Sequence, residues 1–120
     1  MWLWDSAFHA IGWRHVDAAV ARDAIEAVLW RQRPDGMVPH RMTPTSASEI
    51  TQPPVLAMAA LLVHQAAPDE DWLDRLYPKL CRAVEWYRAH RDADGAGLLE
   101  WRTDPNSVDC RGDESGMDNS

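Results

Sequence analysis

The chain has 120 residues, which suits one small domain or part of a larger one. Hydrophobic residues make up 46% of it, which excludes a disordered chain, and a net charge of −7 argues against a nucleic-acid backbone as partner. The longest apolar run, residues 55–63, falls well short of the roughly 18 residues a membrane helix needs, so no membrane partner is expected.

The two cysteines, Cys81 and Cys110, make neither a disulfide framework nor a metal-site spacing. They read as free thiols of a reducing compartment, and the expectation is a cytoplasmic protein without metal or cofactor. Met1 is followed at once by Trp2 and Trp4, with no basic start of a secretory signal. The unusual number is seven tryptophans against one phenylalanine. An indole offers a flat apolar face and an N–H donor, which matches the apolar C–H faces and polar rims of sugar rings. Trp30, Trp72 and Trp86 sit in helical patterns and are expected in the core, whereas Trp2, Trp4 and Trp13 are expected to line a pocket.

Residues 1–15 crowd Trp2, Trp4, Asp5, His9, Trp13 and His15 together. Terminal residues tend to fray, so a domain rarely opens on its densest polar–aromatic cluster. This points to a segment cut from a longer domain. On a helix, Asp5 and His9 share one face. With two tryptophans adjacent they are read as pocket residues, and no third ligand is spaced for a metal.

Residues 17–32 have the period of an amphipathic helix. Asp17 stands at its cap, and Ala24, Ile25, Val28 and Leu29 lie on its apolar stripe. Arg33-Pro34-Asp35-Gly36 is a turn, and residues 37–41 form a short extended piece that Pro39 keeps out of a central strand. Residues 43–51 form a polar loop; its Ser46 and Glu49 have capping-box spacing, but Pro53 and Pro54 follow too soon for a helix there.

A second helix is expected over residues 53–67, opening on prolines whose missing N–H does no harm at that end. Its residues 55–63 are apolar on every side, so the helix is expected to be buried all round, which asks for more protein than this chain contains. Asp69, Glu70 and Asp71 open a third helical region. Pro78 is expected to divide it into a short helix ending near Tyr77 and a longer one over 78–90. Asp92-Ala93-Asp94-Gly95 resembles the start of a calcium loop without the later ligands, and a tight turn is the better reading. Residues 98–101 are a short extended piece, and 102–113 a loop. The chain carries no GxGxxG, P-loop, HExxH or GxSxG motif.

The terminal run Glu114-Ser115-Gly116-Met117-Asp118-Asn119-Ser120 gathers two carboxylates and an amide around one glycine. Glycoside hydrolysis needs two carboxyl groups across the scissile bond, one donating a proton to the leaving oxygen and one activating water or attacking the sugar. The donor must be held protonated by burial or by a neighbouring negative charge. Asp118 is the candidate donor. Glu114, four residues away, is close enough to influence it, and Ser115 and Asn119 are placed to orient it. On composition alone, an Asx-rich turn is the better account of the run.

Five motifs occur in one order: Trp2-Leu3-Trp4-Asp5-Ser6-Ala7-Phe8-His9, Pro34-Asp35-Gly36-Met37-Val38-Pro39-His40 after Gln32, Gln52-Pro53-Pro54, Tyr77-Pro78-Lys79-Leu80, and the terminal run. Together they resemble the catalytic barrel of the mannosylglycerate hydrolase-like and family 63 glycoside hydrolases, six-hairpin glycosidases related by fold to glucoamylases and trehalases. The resemblance covers essentially the whole chain. It implies an all-α fold, part of an (α/α) six-hairpin toroid barrel with two to three hairpins present. Residues 1–120 would be a partial barrel domain truncated at both ends, with helix 53–67 in the inner ring and helix 17–32 in the outer.

The resemblance further implies an inverting enzyme on an α-glucosidic or α-mannosidic bond of a carbohydrate substrate. Asp118 would be the general acid, Trp2, Trp4, Asp5 and His9 would line the sugar subsite, and Gln52 would contribute. The family's base glutamate lies after the acid motif, and neither Glu100 nor Glu114 matches its position, so the chain by itself is expected to be inactive. The competing reading is a non-catalytic carbohydrate-binding or structural helical fragment. A scaffold for protein partners fits less well, because it leaves the cluster from Trp2 to His9 unexplained.

Overall fold

The computed structural model describes residues 1–101 and 113–117. Residues 102–112 and 118–120, and with them Cys110, Asp118 and Asn119, lie outside the described residues. Among the described residues the fold is all-α, with four helices: α1 (Leu3–Trp13), α2 (Ala18–Leu29), α3 (Leu56–Ala66) and α4 (Glu70–His90). A 3-10 turn covers Asp113–Ser115. No helix among the described residues is long and apolar enough to cross a membrane.

The first turn of each helix shows why it begins where it does. The Asp17 carboxylate accepts from the Ala19 and Val20 amides at 2.9 and 3.3 Å, so it caps α2 as its position in the sequence suggests. Asp69 caps α4 through the Trp72 amide at 2.9 Å, with Glu70 and Asp71 in the first turn and Arg88 and His90 in the last, where each sign suits the helix dipole. Helix α1 has no side-chain cap of its own. Its exposed amides are met from elsewhere in the fold: Leu3 N–H donates to the His40 carbonyl at 2.9 Å and Trp4 N–H to the Gln52 side chain at 3.0 Å.

Helix α1 packs on α2 and α3, and α3 also packs on α4. The seam is lined with alanines (Ala7, Ala10, Ala21, Ala59, Ala60), all fully buried, which lets the helices approach closely. Ile25, Val28, Leu29, Val63 and Trp72 fill the rest, each large side chain contributing about 1.5–3 kcal/mol by leaving water. Arg22 of α2 ties the α3–α4 junction. It donates to the Ala67 carbonyl at 2.7 Å and pairs with Asp69 at 3.4 Å.

The segment between α2 and α3 folds over the start of α1. Trp2 bridges Arg41, Met42 bridges Ala47, and the Met42 amide donates to the Met1 carbonyl at 2.8 Å. Gly36, in the expected turn, has φ +101° and abuts α4, where a Cβ would stand 2.4 Å from the Arg82 carbonyl oxygen. The turn after α4 also forms: Asp92 accepts from the Gly97 amide at 3.1 Å and Asp94 from that of Ala96 at 3.0 Å.

Two expectations are corrected. Pro78 does not divide α4, which runs unbroken from Glu70 to His90. A proline inside a helix strands the carbonyl four residues earlier, here that of Asp74. Both Asp74 and Pro78 are exposed, so water can serve that carbonyl, while the buried stripe of Trp72, Leu76, Leu80 and Ala83 holds the helix together. Trp30 is not a core residue but 74% exposed, because α2 ends at Leu29 and its ring lies beside the Arg31 guanidinium instead. Helix α3 begins at Leu56, and among the described residues Met58 and Leu61 stand 45% and 51% exposed, the open apolar side expected of a helix that this chain is too small to surround.

Candidate active site

The site assembles where the start of α1, the segment around Gln52, the C-terminal end of α4 and the turn at 113–117 meet. Trp4 sits in the first turn of α1, with its backbone amide held by the buried Gln52 side chain. Its ring packs edge-on to Phe8, with centroids 5.0 Å apart. On another side it faces Gly116, where a Cβ would come within 2.8 Å of the indole. Gly116 has φ +76°, a conformation natural to glycine, so the motif's glycine both makes the turn and leaves room for the tryptophan.

Glu114, the first residue of the terminal run, is 3% exposed. Its carboxylate accepts a two-pronged bond from Arg91, from Nε to Oε2 at 2.8 Å and from Nη2 to Oε1 at 2.6 Å. The Thr51 amide donates to the same Oε1 at 3.3 Å. The fork matches carboxylate geometry and is the strong form of such a pair. The guanidinium lies 4.7 Å over the Trp86 ring, which in turn stacks on His90. Ser115 Oγ accepts from the Met117 amide at 3.1 Å, which closes the turn locally.

Below this pair the Tyr87 hydroxyl donates to the Gln52 carbonyl, and the Thr51 hydroxyl lies 2.7 Å from both that hydroxyl and the Val38 carbonyl. Burial pushes the Tyr87 pKa up to about 12, with the Glu114 charge adding and the Thr51 hydrogen bond and Arg91 opposing. Tyr87 is therefore a neutral hydrogen-bonding group across the physiological range. A cleft of about 210 Å³ opens over these groups, lined by Thr51, Gln52, Tyr87, Arg91, Glu100, Trp101, Glu114 and Ser115.

Of the residues read from the sequence as a site, Trp4 and Gln52 are joined directly and share this neighbourhood with Glu114, Ser115 and Gly116. Asp5, His9 and Trp13 follow one another along the exposed side of α1. Trp2, 45% exposed, packs against buried His40 at 5.4 Å, and the His40 ring is fixed by Ser48 Oγ at 2.7 Å. Asp118 follows the described turn directly and lies outside the described residues. Thr51, Tyr87 and Arg91 were not singled out from the sequence. Nothing local in the sequence couples Arg91 to a glutamate 23 positions on.

The model of the mannosylglycerate hydrolase MGH1-like glycoside hydrolase domain matches residues 1–120. The mannosylglycerate hydrolase of Thermus thermophilus is 34% identical over 145 residues, taking in 99% of this chain and 33% of its own length. The glucosylglycerate hydrolase of Mycolicibacterium hassiacum is 32% identical over 157 residues, covering 100% of this chain and 33% of that protein. The crystal structure of a GH63 mannosylglycerate hydrolase from Thermus thermophilus in complex with Tris and D-glycerate matches with a TM-score of 0.80 at 34% identity, over 100% of this chain and 31% of that one. The chain thus spans about a third of the length of these relatives.

Proposed function

The chain belongs to the mannosylglycerate hydrolase MGH1-like glycoside hydrolase family, and we propose that it supplies the acid-bearing part of an inverting glycoside hydrolase. The substrate class is an α-mannoside or α-glucoside of a small polar alcohol such as glycerate. Relatives of both kinds, one named for mannosylglycerate and one for glucosylglycerate, support that class. The observation that carries the reading is the convergence of the terminal motif, Trp4 and Gln52 on one neighbourhood from three distant parts of the chain.

In this reading Asp118 protonates the glycosidic oxygen as the bond to the anomeric carbon breaks. A second carboxylate takes a proton from water, which attacks the opposite face. The two carboxyl groups then stand roughly 6.5–9.5 Å apart to leave room for that water. The base comes from the part of the relatives' length that this chain does not span. Trp4 presents an aromatic face to the sugar, and Trp2, Asp5, His9 and Gln52 contribute around it. Residues 1–120 form part of an (α/α) barrel domain, with α3 in the inner ring and α2 in the outer. The exposed apolar side of α3, at Met58 and Leu61, supports that placement. The chain alone is inactive, and within its family it acts as a structural and substrate-contacting piece of a larger catalytic unit.

The test compares the 120-residue chain with the full-length protein on mannosylglycerate and glucosylglycerate, following the anomeric proton of the released sugar by NMR. The full-length protein should release the inverted anomer, the chain alone should release nothing, and Asp118→Asn should slow the full-length protein by about 10²–10⁴-fold. Normal turnover by Asp118→Asn would overturn the acid assignment, and a retained anomer would overturn the inverting mechanism.

A further inference from the structure

We propose that Arg91 is a positioning residue for the proton donor, acting through Glu114 to fix the turn that leads into Asp118. The inference rests on the reading of Asp118 as the general acid. Three contacts immobilise the residues just before it. Arg91 clamps Glu114 with two bonds at 2.6 and 2.8 Å. Gly116 is backed by the Trp4 indole, with no room for even a Cβ. The Met117 amide is tied to Ser115 Oγ at 3.1 Å.

The clamp has the features of a device rather than of a chance surface pair. Glu114 as a whole is 3% exposed, and the Arg91 and Glu114 side chains are 12% and 1% exposed. The Thr51 amide gives Glu114 Oε1 a third donor, and the Trp86 ring holds the guanidinium plane from one side. An exposed pair contributes little and tolerates exchange of arginine for lysine, whereas a buried fork does not. Arg91 is the C-cap residue of α4, so the clamp couples the turn to the longest helix of the fold. A general acid works only with its proton aimed at the leaving oxygen, and a misplacement of about 1 Å is enough to lose roughly 10²-fold in rate.

The position of the acid can be separated from the integrity of the fold by varying the leaving group. A 2,4-dinitrophenyl glycoside departs without a proton, whereas an alkyl glycoside needs one. In the full-length protein Arg91→Lys keeps the charge and loses the fork, and Glu114→Gln keeps the shape and loses the charge. Each should lower kcat on the alkyl glycoside by about 10²-fold and on the dinitrophenyl glycoside by less than about 5-fold, with KM little changed.

A proportional loss on both substrates, or unfolding of both variants, is what a purely structural pair produces and overturns the positioning role. Asp118→Asn is the control. If it shows the leaving-group contrast and the Arg91 and Glu114 variants do not, this inference alone falls. If Asp118→Asn shows no contrast, the acid assignment falls and takes this inference with it.

Discussion

Gly116 stands against the indole of Trp4 with no space for a side chain: a Cβ there would be 2.8 Å from Cε3 and 2.9 Å from Cζ3. Two residues from opposite ends of the chain are thereby made into one surface. Gly116→Ala should lose about 1–2 kcal/mol from the left-handed backbone alone, and should push the Trp4 ring out of place as well. Urea unfolding measures the first effect and tryptophan emission the second. Wild-type stability together with an unchanged emission spectrum would mean that the turn does not sit on the ring.

Tyr87 sets a limit at high pH. Its hydroxyl is neutral in the folded chain, with a pKa pushed up to about 12, while in the unfolded chain it titrates at the ordinary tyrosine value near 10. Below about pH 10 both states hold the proton and stability does not depend on it. Between about 10 and 12 the unfolded state releases its proton and the folded state keeps it, so stability falls as pH rises. The loss approaches about 3 kcal/mol at the top of that window. Tyr87→Phe should flatten this part of the curve in thermal unfolding scans from about pH 9 to 12. It should also remove the Tyr87 hydrogen bond to the Gln52 carbonyl, which keeps the Thr51 hydroxyl as a donor at 3.4 Å.

Gln52 meets the Trp4 amide with a side-chain oxygen that no neighbouring backbone replaces in the described residues. Gln52→Leu strands a partly buried N–H and should destabilise by about 1–3 kcal/mol. Gln52→Glu keeps an acceptor at the same place and should restore a good part of that loss. If the two variants unfold at the same urea concentration, the bond to Trp4 contributes nothing.

Leu61 tests the barrel. In the isolated chain it is 51% exposed, and Leu61→Lys should change stability by less than about 0.5 kcal/mol. In a full-length protein where α3 lies in an inner ring, the same change buries a charge and should destabilise by several kcal/mol. Equal effects in the two contexts would exclude an inner-ring place for α3.

Much of the helical content was legible because it is written in local period and local caps. The stripe of Ile25, Val28 and Leu29 lies buried along α2, and Asp17 caps it where expected. Pro78 misled because a local rule about helix interiors was outweighed by a buried stripe that continues past it. Trp30 misled because the helix ends at Leu29, three residues short of the expected end, and the ring falls outside the packed face.

The site was legible only in part. Trp4 and Gln52 could be named from their motifs. Their joining through a backbone amide depends on how the 37–52 segment folds over α1, which no local pattern states. Arg91 and Glu114 are bound across 23 positions by a contact that exists only once α4 and the turn are in place. Asp5 and His9 do share a face of α1, as their spacing required, but that face is exposed in the described residues.

The unbroken course of α4 through Pro78 has a mechanical meaning. Twenty-one residues at about 1.5 Å each make a rod of about 30 Å, anchored at one end by Arg22 on Asp69 and carrying Arg91 at the other. A tilt of about 2° at the anchored end sweeps the far end through about 1 Å on a rod of that length. Had the proline made a hinge, that motion would die out midway. As a single lever, the helix makes the geometry of the cleft answerable to substitutions at the Arg22 junction, well outside the cleft itself.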